Sequence, residues 1–171
     1  MRAVLDACVL YPTVMREVLI GCAGLYQPLW SERILEEWRR AAMKHPPGAG
    51  TEIAVLMERF PKAAVPAPER EDIVLPDPDD VHVLSAAIEG GADAIVTLNL
   101  GDFPTRVLAR HGVLRMHPDA FLIDLHAASP GAVREAAHRV LEVARGLSGE
   151  DWAMGALLKK ARLPRLGKAL S

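Results

Sequence analysis

The sequence lacks the features that would assign it to a secreted, membrane-spanning or disulfide-rich protein. Its only two cysteines, Cys8 and Cys22, form no CxxC pair, which favours a reducing compartment over a disulfide framework. No apolar run approaches the ~20 residues that a membrane span needs. The apolar residues after Met1 are interrupted by Asp6, unlike those of a signal peptide. We therefore expect a soluble, cytoplasmic protein with no membrane partner.

Several catalytic signatures are also missing. The chain has no GxGxxG phosphate loop, no nucleophile elbow around a serine, and no His/Cys spacing typical of a structural zinc site. The formal net charge is −2, so the molecule as a whole does not attract nucleic acid, and any basic surface must be local. Half of its 171 residues are hydrophobic, which is enough for the core of one domain with some extra chain.

The stretch that organises the chain is Asp77–Pro104, which predicts a helix followed at once by a buried strand, Ala94–Leu98. Asp79 and Asp80 stand at the start of the helix, and Asp102 comes just past the carboxyl end of the strand. In open α/β sheets, ligands bind in the crevice outside the carboxyl ends of the strands. Carboxylates gathered at that edge indicate a site for something positively charged.

One carboxylate interrupts the first predicted strand, Arg2–Leu10, at Asp6. An acid inside so apolar a strand is costly to bury unless it is paired, hydrogen-bonded or bound to a metal. The alternative is that Asp6 caps the following turn, which is a common task for aspartate. With the other acids in view, we favour the metal-site interpretation.

The remaining pattern alternates strands and helices as far as Met116 and is helical from His117 onward. This predicts an α/β fold with a parallel sheet covered on both faces, divided into a domain at residues 1–116 and a C-terminal helical extension at 117–171. Further expected strands are Ile73–Leu75 and Val113–Met116. Expected helices are Thr13–Gly24, Ser31–Lys44, Thr51–Phe60, Thr105–His111, Pro118–His126, Pro130–Arg145 and Gly149–Lys160. The basic residues of the last segment are either a solvated tail or a surface that contacts phosphate or a partner.

A parallel sheet of this kind can bring Asp6, Asp80 and Asp102 to one edge, and a helix lying across that edge can add Glu37. Glu36 is the neighbouring alternative to Glu37. Carboxylates this close would repel one another unless one stays protonated or a cation binds, and a site made only of carboxylate oxygens suits Mg²⁺ or Mn²⁺. Such a site is what in-line hydrolysis of a phosphodiester requires.

Four segments at these positions resemble the PIN-domain family, and more narrowly the toxin ribonucleases of bacterial VapBC-type toxin–antitoxin pairs. They read LDACVLYP, ILEEWRR, DPDDVHVLSAA and IVTLNLGDFP, and they cover the first two thirds of the chain in order. The resemblance implies a three-layer α/β/α sandwich, a Mg²⁺- or Mn²⁺-dependent endoribonuclease activity on RNA, and a small antitoxin partner. The family's site residues fall on the acids Asp6, Glu37 (or Glu36), Asp80 (or Asp79) and Asp102, and on the supporting residues Thr97 and Asn99.

Two other classes of function are compatible with the same residues. The first is a metal-dependent DNA nuclease or phosphatase, because carboxylates alone do not choose the substrate. The second is a non-catalytic module that binds nucleic acid or protein, in which the acids serve only as caps and salt-bridge partners. His82 is expected to be a solvated or capping residue, and exposed faces of the N-terminal helices allow a homodimer.

Overall fold

The computed structural model describes residues 1–171 and contains a parallel sheet of four strands in the order β2-β1-β3-β4. The strands are β1 (Arg2–Leu5), β2 (Gln27–Leu29), β3 (Ala94–Val96) and β4 (Leu114–Met116). Leu5 pairs with Val96, and Val96 pairs with Met116, so three strands end at the same level. The residues that follow these ends therefore share one edge of the sheet.

Ten helices accompany the sheet, together with 3-10 turns at Pro78–Asp80 and Leu100–Asp102. The helices are α1 (Ala7–Leu10), α2 (Thr13–Gly21), α3 (Glu32–Ala42), α4 (Gly50–Arg59), α5 (Val81–Glu89), α6 (Thr105–Ala109), α7 (Pro118–Ala128), α8 (Pro130–Ser148), α9 (Met154–Lys160) and α10 (Pro164–Leu170). None of them combines the length and the apolar character that a transmembrane segment requires.

The elements fall into two units. The first comprises residues 1–11 and 26–116 and holds the whole sheet, and the second comprises residues 12–25 and 117–171. The sequence suggests a boundary only after Met116, whereas in the structure α2 groups with the C-terminal helices. A helix that precedes most of the sheet in sequence thus belongs to the helical unit.

In the first unit, the apolar runs of β1 and β3 are fully buried, as expected for central parallel strands. Helix α5 packs against both of these strands, and α6 packs against β4. The Ser31 side chain accepts a hydrogen bond from the amide of Ile34 and so caps α3. The predicted α/β architecture, a parallel sheet flanked by helices, is confirmed.

The predicted strand at Ile73–Leu75 is wrong, although the segment alternates as a strand would. Ile73 and Leu75 are buried, whereas Val74 is 80% exposed. The segment pairs with no strand of the sheet, and its buried side chains anchor an irregular stretch instead. Alternation reports burial on one face, and it does not report whether a hydrogen-bonding neighbour is present.

The second unit is entirely helical. Helix α8 packs against α2 and α7, and a Cβ atom placed on Gly21 would lie 3.0 Å from the Cβ of Ala136, so α2 and α8 approach closely there. Gly149 was expected to begin a helix, but it ends α8 in a left-handed conformation with φ 70°. The segment after Leu163, for which a solvated tail was one of two alternatives, forms α10 and packs against α9 and α7.

Candidate active site

Asp6 lies at the junction of β1 and α1. The predicted strand, Arg2–Leu10, was wrong in its length. The strand ends at Leu5, and the Asp6 amide continues the ladder by donating to the carbonyl of Val96 at 3.1 Å. Its carboxylate Oδ1 accepts a hydrogen bond from the amide of Ala7 at 2.8 Å and so caps α1. Asp6 therefore does cap a helix, which was the less favoured alternative. The side chain is only 6% exposed.

The second oxygen of Asp6 is held by Thr97, which follows β3. The fully buried Thr97 hydroxyl donates to Asp6 Oδ2 at 2.8 Å and accepts a hydrogen bond from the Asn99 amide at 3.1 Å. A hydroxyl has one proton, so the bond from Asn99 leaves that proton directed at the carboxylate. Asn99 contributes through its backbone, while the residue itself is exposed.

Cys8 completes the surroundings of Asp6 and was not anticipated from the sequence. Its sulfur lies 3.5 Å from Asp6 Oδ2 and 3.4 Å from Thr97 Oγ1, and it accepts a hydrogen bond from the Leu98 amide at 3.3 Å. Burial, followed by the negative charge of Asp6, raises the pKa of the Cys8 thiol to about 12. The thiol therefore stays protonated and acts as a donor beside the carboxylate.

Asp80 ends the 3-10 turn that leads into α5. The turn is fixed by Asp77, whose carbonyl accepts from the Asp80 amide at 3.1 Å and whose side chain accepts from the Asp79 amide at 2.9 Å. Burial, followed by the charges of Asp102, Asp6, Asp77 and Glu37 in that order, raises the pKa of Asp80 to about 6. The candidate acids are thus close enough to repel one another. Asp79 is exposed instead.

Asp102 lies on the second 3-10 turn, immediately after β3. Arg115 on β4 holds this turn, because its Nη1 donates to the carbonyl of Leu100 at 2.5 Å and to that of Phe103 at 3.3 Å. Phe103 is fully buried and anchors the far side of the turn. Sequence reasoning missed Arg115, since an arginine in a short strand gives no indication of a partner in a preceding loop.

The two adjacent glutamates of α3 have different surroundings. Glu36 pairs with Arg39 and, at 3.5 Å, with Arg40 on the solvated side of the helix. Glu37 instead places Oε1 2.7 Å from Nε2 of His82 on α5. Glu37 also contributes to the raised pKa of the Asp6 carboxyl, of which burial is the largest cause. Glu37 therefore lies toward the other acids, whereas Glu36 forms ion pairs with arginines of its own helix.

His82 contradicts the expectation of a solvated or capping histidine. It is 5% exposed, and its ring is directed at Glu37 from the first turn of α5. The spacing of His82 two residues after Asp80 was visible in the sequence. The partner was not, because it lies 45 residues away in the chain.

The carboxylates of this site are the groups that could bind a divalent metal ion. As the side chains stand, no three His, Cys, Asp or Glu residues form a group that could hold a metal ion. The chemistry of the set nevertheless fits Mg²⁺ or Mn²⁺, because the coupled groups are all carboxylates. Their repulsion, visible in the raised pKa of Asp80, is what a bound cation would relieve.

Part of this chain is similar to a known protein family. Residues 2–101 match the PIN domain family, a range that contains every candidate acid except Asp102. A 45-residue segment is 47% identical to a protein of Mycobacterium tuberculosis named "Putative ribonuclease VapC50". That match covers 26% of this chain and 27% of the other protein, so it spans about a quarter of each. No solved structure matches the chain.

Proposed function

We propose that this chain, which belongs to the PIN-domain family, is a metal-dependent endoribonuclease that hydrolyses RNA phosphodiester bonds. The observation that carries the proposal is that Asp6 and Asp102 follow the aligned ends of β1 and β3, with Asp80 at the start of α5. The charges of Asp102, Asp6 and Glu37 add to burial in raising the pKa of Asp80, as expected for four acids that come together from separate segments. Their concentration beyond the ends of β1 and β3 costs repulsion that the fold alone does not require. A phosphodiesterase that works through cations needs such a cluster.

In this proposal Asp6, Asp80 and Asp102 hold Mg²⁺ or Mn²⁺ through carboxylate oxygens. The ion, when bound, offsets the charge of the scissile phosphate and lowers the pKa of the attacking water. Glu37 accepts the proton that this water loses. Water adds to phosphorus, the bond to the leaving oxygen breaks, and the leaving oxygen takes up a proton.

The supporting residues of the chain preorganise these acids. Thr97 and the Ala7 amide each fix one oxygen of Asp6, so the carboxylate cannot rotate. Arg115 fixes the turn that presents Asp102. Side chains held in this way spend little free energy on reorganisation during the reaction.

Cleavage of a labelled RNA mixture with Mg²⁺ or Mn²⁺ tests the proposal, with a chelated sample and labelled DNA of the same sequence alongside. Wild type should cut RNA only with metal, and Asp6→Asn should abolish the cut. Two matched pairs locate the site: Asp80→Asn against Asp79→Asn, and Glu37→Gln against Glu36→Gln. Wild type that is inert on RNA at every metal concentration would contradict the proposal, and cutting of DNA alone would reassign the substrate.

We further propose that the chain is the toxin of a toxin–antitoxin pair. The resemblance to VapBC-type toxins supports a small antitoxin that covers the acids, with an arginine salt-bridged to them. Such an inhibitor should suppress RNA cleavage by wild type and bind Asp80→Asn more weakly, since one of the charges it pairs with is gone. A homodimer through exposed faces of the N-terminal helices is a separate proposal, and sedimentation of the purified protein measures it.

A further inference from the structure

The pair formed by His82 and Glu37 contains an almost completely buried histidine, unlike the ion pairs between exposed side chains of this chain. The distance from His82 Nε2 to Glu37 Oε1 is 2.7 Å, and the histidine is almost completely buried. A carboxylate oxygen of an ionised glutamate can only accept, so Nε2 carries the proton of this hydrogen bond. The ring therefore donates to Glu37 in either of its charge states.

The rest of the His82 ring has no comparable role. Its other nitrogen, Nδ1, is buried and has no hydrogen-bond partner. A histidine buried for structural reasons usually satisfies both nitrogens, because an unpaired polar atom in the interior is destabilising. The hydrogen bond to Glu37 is thus the one polar contact that the buried ring makes.

Glu37 has a second, weaker neighbour in Arg33. Arg33 Nε lies 3.8 Å from the same oxygen, Oε1, and the arginine side chain is 53% exposed and also lies 3.8 Å from Asp79. An exposed pair at this distance is screened by water and fixes little. His82 is therefore the donor that sets the orientation of Glu37, and both contacts leave Oε2 for a ligand outside the chain.

We propose that His82 is a positioning residue for RNA cleavage: its Nε2–H holds Oε1 of Glu37 so that Oε2 faces the attacking water. The proposal rests on the proposed ribonuclease function. His82 lies on the turn of α5 that begins directly after Asp80, so one helix start presents an acid and also orients a second acid on α3. Without the donor, the half-exposed Glu37 side chain returns to several rotamers and is aligned for only part of the time.

A double-mutant cycle between the two residues tests the role. His82→Leu removes the donor, and we expect kcat on labelled RNA to fall about 10- to 100-fold while KM changes by less than about twofold. His82→Gln keeps an amide donor and should recover part of the loss. In the Glu37→Gln background, His82→Leu should cost less than about twofold more, because the group that it positions has already been altered.

Two controls separate positioning from folding. His126→Leu removes a histidine whose Nε2 is likewise buried and unpaired, on α7, and it should leave kcat unchanged. The ¹⁵N shifts of the His82 ring supply a readout that needs neither metal nor activity. They should show a proton on Nε2 in wild type and a changed signal in Glu37→Gln.

Failure of the His82 role and failure of the ribonuclease proposal give different results. If wild type cuts RNA and the two substitutions lower kcat independently, the positioning role is overturned and the ribonuclease stands. The same follows if His82→Leu lowers only the melting temperature, or if the ring carries no proton on Nε2. If wild type cuts no RNA with any metal, the ribonuclease proposal falls and takes the role of His82 with it.

Discussion

Each unit of the molecule buries one aspartate, and the two are satisfied in different ways. Asp119 on α7 is 3% exposed, and its two oxygens accept hydrogen bonds from the backbone amides of Arg165 and Leu166 at 2.9 Å each. Those amides belong to the first turn of α10, which would otherwise lack acceptors. Asp6 also caps a helix, but its other oxygen depends on side chains, and burial raises its pKa.

The difference lies in the neighbouring charges. Other carboxylates lie near Asp6, as the raised pKa of Asp80 records, whereas Asp119 meets backbone donors. Packing explains a buried acid whose two oxygens accept hydrogen bonds from the amides at the start of a helix. Packing does not explain a buried acid placed among other carboxylates. This contrast separates a structural aspartate from a candidate catalytic one.

The sharpest test of the contrast compares Asp6→Asn with Asp119→Asn. We expect Asp6→Asn to lower RNA cleavage by on the order of 10²–10⁴-fold, because a charge that holds the cation is lost. Removal of a repelling, desolvated charge should offset the loss of one acceptor oxygen, because the Thr97 hydroxyl can rotate to accept from the new NH₂ group. The melting temperature without metal should therefore stay close to that of wild type. Single-turnover cleavage together with thermal melting measures both quantities, and an active Asp6→Asn would break the contrast.

Asp119→Asn should show the opposite behaviour. One amide of the α10 turn then faces an NH₂ group instead of an oxygen, and we expect a loss of about 2 kcal/mol in the free energy of unfolding. Cleavage per folded molecule should not change. Urea unfolding measures the loss, and Asp124→Asn, an exposed acid on the same helix, is the control. A stability equal to that of wild type would show that the α10 turn does not depend on Asp119.

Metal binding should stabilise the region of Asp6 and not that of Asp119. Saturating Mn²⁺ should raise the free energy of unfolding of wild type by about 1–3 kcal/mol. Asp80→Asn should lose most of this gain, whereas Asp119→Asn and Asp79→Asn should keep it. Thermal melts with and without Mn²⁺ measure the stabilisation by the metal in each protein. An equal stabilisation of all four proteins would show that the metal binds elsewhere.

Thr97→Val examines how far Asp6 depends on its side-chain donor. The substitution removes the hydroxyl that donates to Asp6 and accepts from the Asn99 amide. We expect about a tenfold loss of cleavage and a loss of about 1 kcal/mol in stability. Thr97→Ser keeps the hydroxyl and should keep most of the activity. Valine retains the methyl group that serine lacks, so equal defects in the two variants would show that the loss of activity does not come from the hydroxyl.

The smallest expected effect concerns the two thiols, one in each unit. Burial raises the pKa of Cys22 to about 11 and that of Cys8 to about 12, so neither should react with iodoacetamide at about pH 8 until the protein unfolds. Asp6→Asn removes a charge that raises the pKa of Cys8 only. At about pH 9 the variant should therefore alkylate faster at Cys8 and unchanged at Cys22, as peptide mass mapping would report.

The sequence predicted those parts of the fold whose cause is local. The apolar runs of β1 and β3 and the start of α3 near Ser31 are visible in a few neighbouring residues. Each was confirmed, although both strands are shorter than predicted. Strand β2, which reads Gln27-Pro28-Leu29, was missed because it is short and contains a proline, which sheets rarely admit. Its place at the edge of the sheet, beside β1, is what makes the proline acceptable.

The contacts that escaped prediction depend on residues far apart in the chain. His82 was expected to be a solvated or capping residue, Arg115 was expected only as part of a strand, and Asp119 was given no role. Their partners are Glu37, the Leu100 carbonyl and the start of α10, none of which is marked by local spacing. The type of chemistry was predictable from the acids, whereas the residues that hold those acids required the structure.

The hydrogen bond from Thr97 to Asp6 spans 91 residues of sequence, and this has a consequence for synthesis of the protein. Strand β1 leaves the ribosome first, yet its neighbours in the sheet are β2 and the much later β3. A nascent chain that stops short of Thr97 lacks the donor that fixes Asp6 and the turn that carries Asp102. The acidic pocket is therefore assembled only in the second half of translation, after the chain has passed β3.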